Sequence, residues 1–226
     1  MKKWCNVTYL GPNRQNTFVL KDSSVKNLIF DLGGVILDLS VDTTLQAVAK
    51  LSGLDKNEVV HHFVNAQGFM QFEKGLIDEH AFRDFVRETY NVTATDAQID
   101  HAWNAMLLGL PIAKLHLLTR LMSTHQTFLL SNTNTIHLRF INENILPPVA
   151  GVTSLDGYFH KSYYSHLMKK RKPDAEIFQQ VLEENNLKAE ETLFLDDNKA
   201  NIEGAAALGI KTLLVTHPDI VTEYFR

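Results

Sequence analysis

Cysteine is nearly absent from this sequence of 226 residues: Cys5 is the only one, so no disulfide can form within the chain. A reducing compartment is therefore allowed. Long apolar runs are missing too, because no stretch approaches the roughly 18 consecutive apolar residues that a membrane-spanning helix needs. The polar residues that follow Lys2 and Lys3 interrupt any apolar segment of a secretory signal. We therefore expect a cytoplasmic protein with no membrane span.

An excess of positive charge is also lacking. The 22 lysines and arginines are outnumbered by 26 aspartates and glutamates, which gives a formal net charge of -4. Proteins that bind nucleic acid usually carry a basic excess, so we expect no nucleic-acid partner. Four consecutive cations at residues 169–172 could form a nucleic-acid or localisation patch. An isolated run in an acidic chain is more typical of solvated side chains.

Short apolar segments alternate with amphipathic segments along the chain. The first, Leu28-Ile29-Phe30, ends at Asp31. An apolar run without alternation is typical of a parallel strand that is covered on both faces. Similar segments occur at residues 127–131, 192–196 and 211–216. Their alternation with helices predicts an α/β fold with a parallel sheet.

The region 42–109 differs from the rest, because its apolar side chains recur at helical spacing. We interpret residues 68–75 as a loop within it. We predict a small helical unit inserted after the first strand, whose aromatic residues form its core rather than a cofactor site. The chain then divides into an N-terminal extension (1–24), a core (25–41 and 110–226) and this insertion. Residues placed to begin its helices are Asp42, Asp55, Asp78 and Thr95.

A long irregular connection is expected over residues 146–172. Lys172 ends it and Pro173 follows. Because proline fixes where the next helix starts, it also fixes the direction in which Lys172 can point.

Four side chains at the ends of the predicted strands could carry chemistry. They are Asp31, Ser131, Asp196 and Asp197, and open α/β sheets place their ligands at the edge where such residues meet. Three carboxylates repel one another unless a cation lies among them. Oxygen ligands suit Mg²⁺, and the ten histidines show no spacing typical of metal ligands.

Each of these positions also has a purely structural interpretation. Asp31 can end a strand in a turn, and Ser131 and Asn132 can cap the helix that follows them. The amides at that helix start, with the Ser131 hydroxyl, could equally hold phosphate oxygens. A serine hydrolase is disfavoured, because no Gly-x-Ser-x-Gly motif surrounds Ser131.

Four stretches resemble, in order, the motifs of the haloacid dehalogenase superfamily of hydrolases. They begin at Asp31, Ser131, Arg171 and Phe194, and read Asp-Leu-Gly-Gly-Val, Ser-Asn-Thr-Asn, Arg-Lys-Pro-Asp-Ala-Glu-Ile-Phe and Phe-Leu-Asp-Asp-Asn-x-x-Asn-Ile-Glu-Gly-Ala. More narrowly, they are similar to those of bacterial sugar-phosphate phosphatases of the α-D-glucose-1-phosphate phosphatase type. The resemblance covers about residues 26–220. It implies a Rossmann-like core with a helical cap inserted after the first motif.

The resemblance makes Asp31 the nucleophile, which would form an aspartyl-phosphate. It implies that Asp31, the backbone carbonyl of Gly33 and Asp197 hold Mg²⁺, with Asp196 either a further ligand or a group that orients them. A carboxylate that attacks a phosphate dianion is repelled, and cations and oriented amides in the site offset that repulsion.

The resemblance also implies how the substrate is held. Ser131 and the amides at Asn132 would bind the phosphate, and Lys172 would bridge nucleophile and phosphate. The expected substrate is a small phosphorylated metabolite, with a sugar phosphate as first candidate. We interpret the predicted loop with Phe69, Glu73 and Lys74 as the surface that closes over the leaving group. The alternative is that these three residues only join two helices.

One position departs from the superfamily pattern. Most of its phosphatases carry a second aspartate two positions after the nucleophile, as general acid, and here that position is Gly33. Proton transfer by a positioned group is typically worth about 10²–10⁴-fold, so turnover should be slower or use another acid. The similar glucose-1-phosphate phosphatases also lack it, which favours good leaving groups such as those of anomeric sugar phosphates.

Two other functions stay open. A non-catalytic regulator could bind a phosphorylated metabolite, but the presence of Asp31, Lys172 and the Asp196-Asp197 pair weighs against it. A metal-free 2-haloacid dehalogenase is disfavoured because paired carboxylates in a site without metal oppose an anionic nucleophile beside them. The sequence predicts no oligomeric state.

Overall fold

A sheet of parallel strands organises the fold. A computed structural model of the chain describes residues 22–65 and 67–226, so most of the predicted N-terminal extension lies outside the described residues. The strands of the described part, in chain order, are β1 (Asn27–Phe30), β2 (Asp38–Leu39), β3 (Leu107–Gly109), β4 (Gln126–Ser131), β5 (Lys161–Tyr164), β6 (Thr192–Asp196) and β7 (Lys211–Leu214). Five of them form one parallel sheet in the order β5-β4-β1-β6-β7, while β2 and β3 pair antiparallel. The predicted α/β fold is confirmed.

Helices cover the sheet and form the inserted region. In chain order they are α1 (Val41–Ser52), α2 (Lys56–Asn65), α3 (Gly68–Glu73), α4 (Glu79–Tyr90), α5 (Asp96–Asn104), α6 (Ile112–Met122), α7 (Thr135–Phe140), α8 (Leu146–Ala150), α9 (Ser165–Met168), α10 (Ala175–Glu184), α11 (Lys199–Ala206) and α12 (Ile220–Tyr224). A π-helical segment, Ile141–Ile145, joins α7 to α8. Within the described residues, every helix is too short or too polar to cross a lipid bilayer.

The central strand β1 is buried on both faces. Leu28 and Phe30 pack into one apolar cluster and Ile29 into another, and all three side chains are fully buried. Since successive side chains of a strand point to opposite faces, both faces of the sheet are covered. This is the environment that the unbroken apolar run predicts.

The inserted helices have a core of their own. Helices α1 to α5, which we call the cap helices, pack around a separate aromatic cluster. Phe72 stacks on Phe82 with ring centroids 4.1 Å apart, and Phe69 stacks on Trp103 at 5.4 Å. The aromatic residues therefore pack with one another, as predicted. The division of the chain at residues 42 and 109 stays a prediction.

The predicted loop at residues 68–75 is wrong over most of its length, since residues 68–73 form α3. Phe69 and Phe72 drive this helix, because both side chains are buried in the cap cluster. Gly68 allows the helix to lie against the Phe85 ring, where a Cβ atom would come within 2.6 Å of the ring carbons. Glycine here permits close packing and does not mark a loop.

The predicted irregular connection over residues 146–172 is also wrong, because it contains α8, β5 and α9. β5 reads Lys-Ser-Tyr-Tyr and is the edge strand beside β4. Only Tyr163 and Tyr164 of this strand are buried. An edge strand of four residues with half its side chains accessible has no apolar run by which the sequence could reveal it.

Candidate active site

The site lies at the carboxyl edge of the sheet, where β1, β4 and β6 end side by side. Phe30 of β1 is in register with Leu129 of β4 and Leu195 of β6. The next residue, Asp31, leaves the sheet while its backbone N–H still donates to Leu195 O at 2.9 Å. The parallel register thus brings together the residues that follow these strands.

Lys172 joins two of the carboxylates. Its Nζ lies 2.7 Å from Asp31 Oδ1, 2.7 Å from Asp196 Oδ2 and 2.8 Å from the carbonyl oxygen of Leu130. The side chain of Lys172 is only 1% exposed, so all three ammonium protons must be satisfied inside the protein, and they are. The sequence predicts this lysine in the site, and the structure places it there.

Burial sets the protonation of this cluster. It raises the pKa of Asp31 to about 7; the Lys172 ammonium opposes that rise and the Asp196 carboxylate adds to it. Burial alone would lower the pKa of Lys172, but the two carboxylates outweigh it and raise that pKa. The lysine therefore stays cationic, and a further cation would be needed to keep Asp31 fully ionised at neutral pH.

Both oxygens of Asp196 accept hydrogen bonds. Oδ1 accepts from the backbone N–H of Asn198 at 2.8 Å, and the Asn201 amide lies within 3.1 Å of both oxygens. Oδ2 also accepts from Lys172. A fully buried carboxylate with these donors is held in one orientation, which is suited to positioning Lys172.

Asp197 differs from its neighbour because it is exposed to solvent. Partial burial and the Asp196 carboxylate raise the pKa of Asp197. Its carboxylate lies directly over Gly34, which has φ of +74°, and a Cβ atom at residue 34 would overlap the Asp197 carboxyl group. The second glycine of the first motif is therefore required both by the backbone conformation and by this carboxylate.

The three carboxylates fit a hard divalent cation. One oxygen from each of Asp31, Asp196 and Asp197 lies within 4.8 Å of the others. The donors are all oxygens, and the single neighbouring ammonium cannot balance three negative charges. This donor set and its charge suit Mg²⁺, which binds to one or two carboxylates and keeps several water ligands.

Ser131 ends β4 and Asn132 follows it, but their side chains have different surroundings. Ser131 is buried at the strand end. The Asn132 amide donates to Lys172 O and its Oδ1 accepts from Lys172 N, both at 2.9 Å. Asn132 therefore fixes the backbone of the lysine on both sides of its Cα atom. The sequence predicts only the backbone amide of Asn132 in the site, so this use of its side chain is new.

A family model now adds to this geometry. The model described as haloacid dehalogenase-like hydrolase matches residues 25–209, which include every motif described above. The chain belongs to this family. Its members are hydrolases, as the sequence predicts. The matched region includes the cap helices as well as most of the core.

Two similar proteins come from Bacteroides thetaiotaomicron. A D-ribitol-5-phosphate phosphatase is 29% identical over 190 residues, which cover 83% of this chain and 90% of the relative. A haloacid dehalogenase family enzyme, solved in complex with magnesium and inorganic phosphate, is 38% identical with a TM-score of 0.76, covering 84% of this chain and 93% of that chain. A solved predicted family hydrolase from Porphyromonas gingivalis is 29% identical with a TM-score of 0.77, covering 84% and 91%.

In this haloacid dehalogenase-like hydrolase, an apolar side chain stands over Gly33. A Cβ atom at residue 33 would lie 3.2 Å from Leu39 Cδ2. Leu39 lies in β2 and packs against the clusters of both the core and the cap helices. Leu39 therefore fills the space above the position where many family phosphatases carry an acid.

The basic run at residues 169–172 does not form a free patch. Lys169 donates to the carbonyl of Gly75, Lys170 to Gln180, Arg171 to Glu73 and Lys172 to the cluster described above. Each cation thus has a defined partner within the hydrolase fold.

The three residues predicted to close over the leaving group have separate places. Phe69 is buried in the cap cluster, where it stacks on Trp103. Glu73 pairs with Arg171, and Lys74 pairs with Asp174 at 2.9 Å. A substrate role for these residues stays a prediction. Their contacts with the core are not evident from the sequence, because the partners lie about a hundred positions away.

Two further residues support the site and escape sequence-based reasoning. Asn201 holds Asp196, and the Ser165 hydroxyl accepts from Thr133 N at 2.9 Å. Asn201 has one signal, its place in the fourth motif, five residues after Asp196. Ser165 follows the edge strand β5 and has no signal, because that strand itself is not recognisable.

Proposed function

We propose that this chain is a Mg²⁺-dependent phosphatase that hydrolyses a small phosphorylated metabolite through an aspartyl-phosphate on Asp31. The observation that carries the proposal is the buried Asp31–Lys172–Asp196 cluster, with Asp197 beside it at the carboxyl edge of the sheet. The similar phosphatase and the similar enzyme with bound magnesium and phosphate support it. We expect the cytoplasm as its compartment.

Asp31, Asp197 and the backbone carbonyl of Gly33 would hold the metal ion. Bound there, Mg²⁺ would neutralise negative charge that carboxylates and phosphate otherwise bring together. Asp196 would orient the neighbouring groups, since both of its oxygens already accept hydrogen bonds from the protein.

In the first step, an oxygen of Asp31 bonds to phosphorus, and the alkoxide of the substrate leaves with the electrons of the broken P–O bond. Lys172 holds Asp31 in place and offsets the charge of the phosphoryl group. The Ser131 hydroxyl and the amides after β4 would bind the other phosphate oxygens. Water then attacks the phosphorus of the aspartyl-phosphate, the bond from the Asp31 oxygen to phosphorus breaks, and inorganic phosphate leaves with the protons of the water as the carboxylate is regenerated.

The leaving group must obtain its proton from a group other than the side chain at position 33. Gly33 carries no acid, and Leu39 fills the space above it. Such a site favours substrates whose alkoxide leaves without strong acid assistance, such as anomeric sugar phosphates. The ribitol-5-phosphate of the relative instead suggests a primary phosphate of an open-chain polyol. Both arguments point to the same broad class of substrate, a sugar or polyol phosphate.

The test is phosphate release from a panel of sugar 1-phosphates, sugar 6-phosphates, polyol 5-phosphates and nucleotides, with Mg²⁺ and after chelation. We expect release that depends on Mg²⁺, and the fastest class identifies the leaving group. If the protein releases halide from a 2-haloacid, and if this release continues after chelation, the protein is a dehalogenase instead. If the folded protein binds Mg²⁺ and phosphate but hydrolyses no compound, the regulatory alternative is favoured.

A further inference from the structure

The last residue of α3 and the loop after it contact the core beside Lys172. The Ser165 hydroxyl lies 2.6 Å from the carbonyl oxygen of Glu73, and Lys169 donates to the carbonyl of Gly75. Two ion pairs add to these contacts: Arg171 with Glu73 at 3.0 Å and Lys74 with Asp174 at 2.9 Å. We call residues 73–75 and 165–174 together the clasp.

The close approach in the clasp depends on a glycine. Gly75 has φ of +60°, and a Cβ atom there would overlap the carbonyl oxygen of His166. With any other residue the loop could not lie directly on the α9 backbone. The contact is therefore fitted and is more than a chance meeting of two charged loops.

The clasp is joined to both parts of the site that hold the substrate. Arg171 and Asp174 flank the Lys172-Pro173 pair, so their ion pairs restrain the backbone of the lysine from both sides. The Ser165 hydroxyl that meets Glu73 also accepts from Thr133 N at 2.9 Å, two residues after Ser131. A movement of the cap loop would reach Lys172 and the phosphate-binding loop through one or two contacts.

The ion pairs of the clasp are partly exposed to solvent. The Arg171 and Glu73 side chains are 25% and 28% exposed, and those of Lys74 and Asp174 are 32% and 45% exposed. Ion pairs this close to water contribute little, because each charge is well solvated when the pair separates. A contact that is well fitted and whose ion pairs are weak can close over a bound substrate and release its product.

We propose that Glu73 and Arg171 are positioning residues: their pairing in the closed clasp sets the Lys172 backbone and the Thr133 loop in the geometry that phosphoryl transfer requires. This inference rests on the proposed function. In this inference Glu73 acts through its ion pair with Arg171, and it does not contact the sugar of the substrate.

The test is a double-mutant cycle with Glu73→Gln, Arg171→Gln and the pair combined. Each single variant should lower kcat by about fivefold, because an ion pair of this exposure shifts the closed population by that order. The combined variant should be no worse than either single one, since both remove the same contact. Arg171→Lys keeps the charge and should recover part of the loss.

Lys161 and Glu184 provide the matched control. They form an ion pair at 2.6 Å on the edge of the core, with side chains 46% and 36% exposed, and neither residue belongs to the clasp. Lys161→Gln and Glu184→Gln should leave kcat unchanged. If the clasp variants also keep the wild-type kcat, or if their losses multiply in the combined variant, the positioning role is wrong.

A second readout separates this inference from the proposed function. Hydrogen exchange of the amides at residues 73–76 is measured with Mg²⁺ and inorganic phosphate added. The wild type should gain protection on addition, and Glu73→Gln should gain less. If the wild type hydrolyses nothing, the proposed function fails, and this exchange difference still decides whether the clasp responds to phosphate. If both proteins gain equal protection, the proposed positioning role of the Glu73–Arg171 pair is wrong.

Discussion

Two of the contacts between the cap helices and the core have opposite character. One, which we call the seam, consists of Trp103 of α5 with Ile136 and His137 of α7. Ile136 is buried in the cap cluster, and His137 stacks on Trp103 with ring centroids 5.0 Å apart. His137 Nε2 also lies 3.0 Å from the Trp103 carbonyl oxygen. The clasp, in contrast, is held by two partly exposed ion pairs and by hydrogen bonds to the backbone carbonyls of Glu73 and Gly75.

The difference indicates which contact can move. Opening the seam would expose apolar surface to water, at about 25 cal/mol for each Å², and would break a buried hydrogen bond. Separating the two ion pairs of the clasp replaces protein partners by water at little cost, and opening there must also break the partly buried Ser165–Glu73 hydrogen bond. The cap helices should therefore turn about the seam and part from the core at the clasp. α7 begins four residues after Ser131, so the seam also anchors one side of the loop proposed to bind phosphate.

The largest effect is expected from changing Asp31, and it tests whether the site between the seam and the clasp is catalytic. Asp31→Asn should reduce turnover on the order of 10⁴-fold or more, because an amide is a poor nucleophile. The amide oxygen can still accept from Lys172, so the fold should persist. Phosphate release and circular dichroism of the same sample check both statements. Undiminished turnover would show that Asp31 is not the nucleophile.

The next largest effect is expected from truncating a buried side chain in the seam. Ile136→Ala removes most of a fully buried side chain and should lower the free energy of unfolding by about 3 kcal/mol. Ile136→Val is the control and should cost about 1 kcal/mol. Urea denaturation at neutral pH measures both. A loss below that of the clasp variants would reverse the proposed order of the two contacts.

The seam should also be sensitive to acid. Burial lowers the pKa of His137 from 6.5 to about 4. Between these values the unfolded chain binds a proton that the folded protein does not, so stability falls as pH drops from about 6.5 to 4. The contribution is up to roughly 3.5 kcal/mol, because each pKa difference of one corresponds to about 1.4 kcal/mol.

His137→Gln removes this proton and should flatten that part of the stability curve. Urea denaturation of both proteins at several values between pH 4 and 7 gives the difference. If the two curves run parallel over this interval, His137 does not bind an additional proton on unfolding and the seam is not acid-sensitive.

Much of the site follows from the sequence because its residues end recognisable strands. Asp31, Ser131 and Asp196 each close a buried apolar run, and parallel strands bring such ends together. The cap core is also predictable, because helical spacing of aromatic residues reports an amphipathic helix without knowledge of its partner.

The contacts of the clasp do not follow from the sequence. Glu73 and Arg171 are 98 residues apart, and neither charge indicates its partner. The Asn132 side chain has the same difficulty, since Asn is equally suited to capping a helix and to fixing a distant backbone. Long-range polar pairs have no periodicity, so only the fold reveals them.

The smallest effect should come from the clasp itself. Lys74→Gln should lower the free energy of unfolding by about 0.5 kcal/mol or less, because its pair with Asp174 is partly exposed and screened by salt. Arg139→Gln, at the rim of the seam, is the matched comparison, since Arg139 pairs with Glu79 at 2.6 Å and similar exposure. Urea denaturation at low and at high salt should show both losses shrinking with salt. If Lys74→Gln instead costs as much as Ile136→Ala at either salt concentration, the clasp is as permanent as the seam, and opening there could not admit substrate.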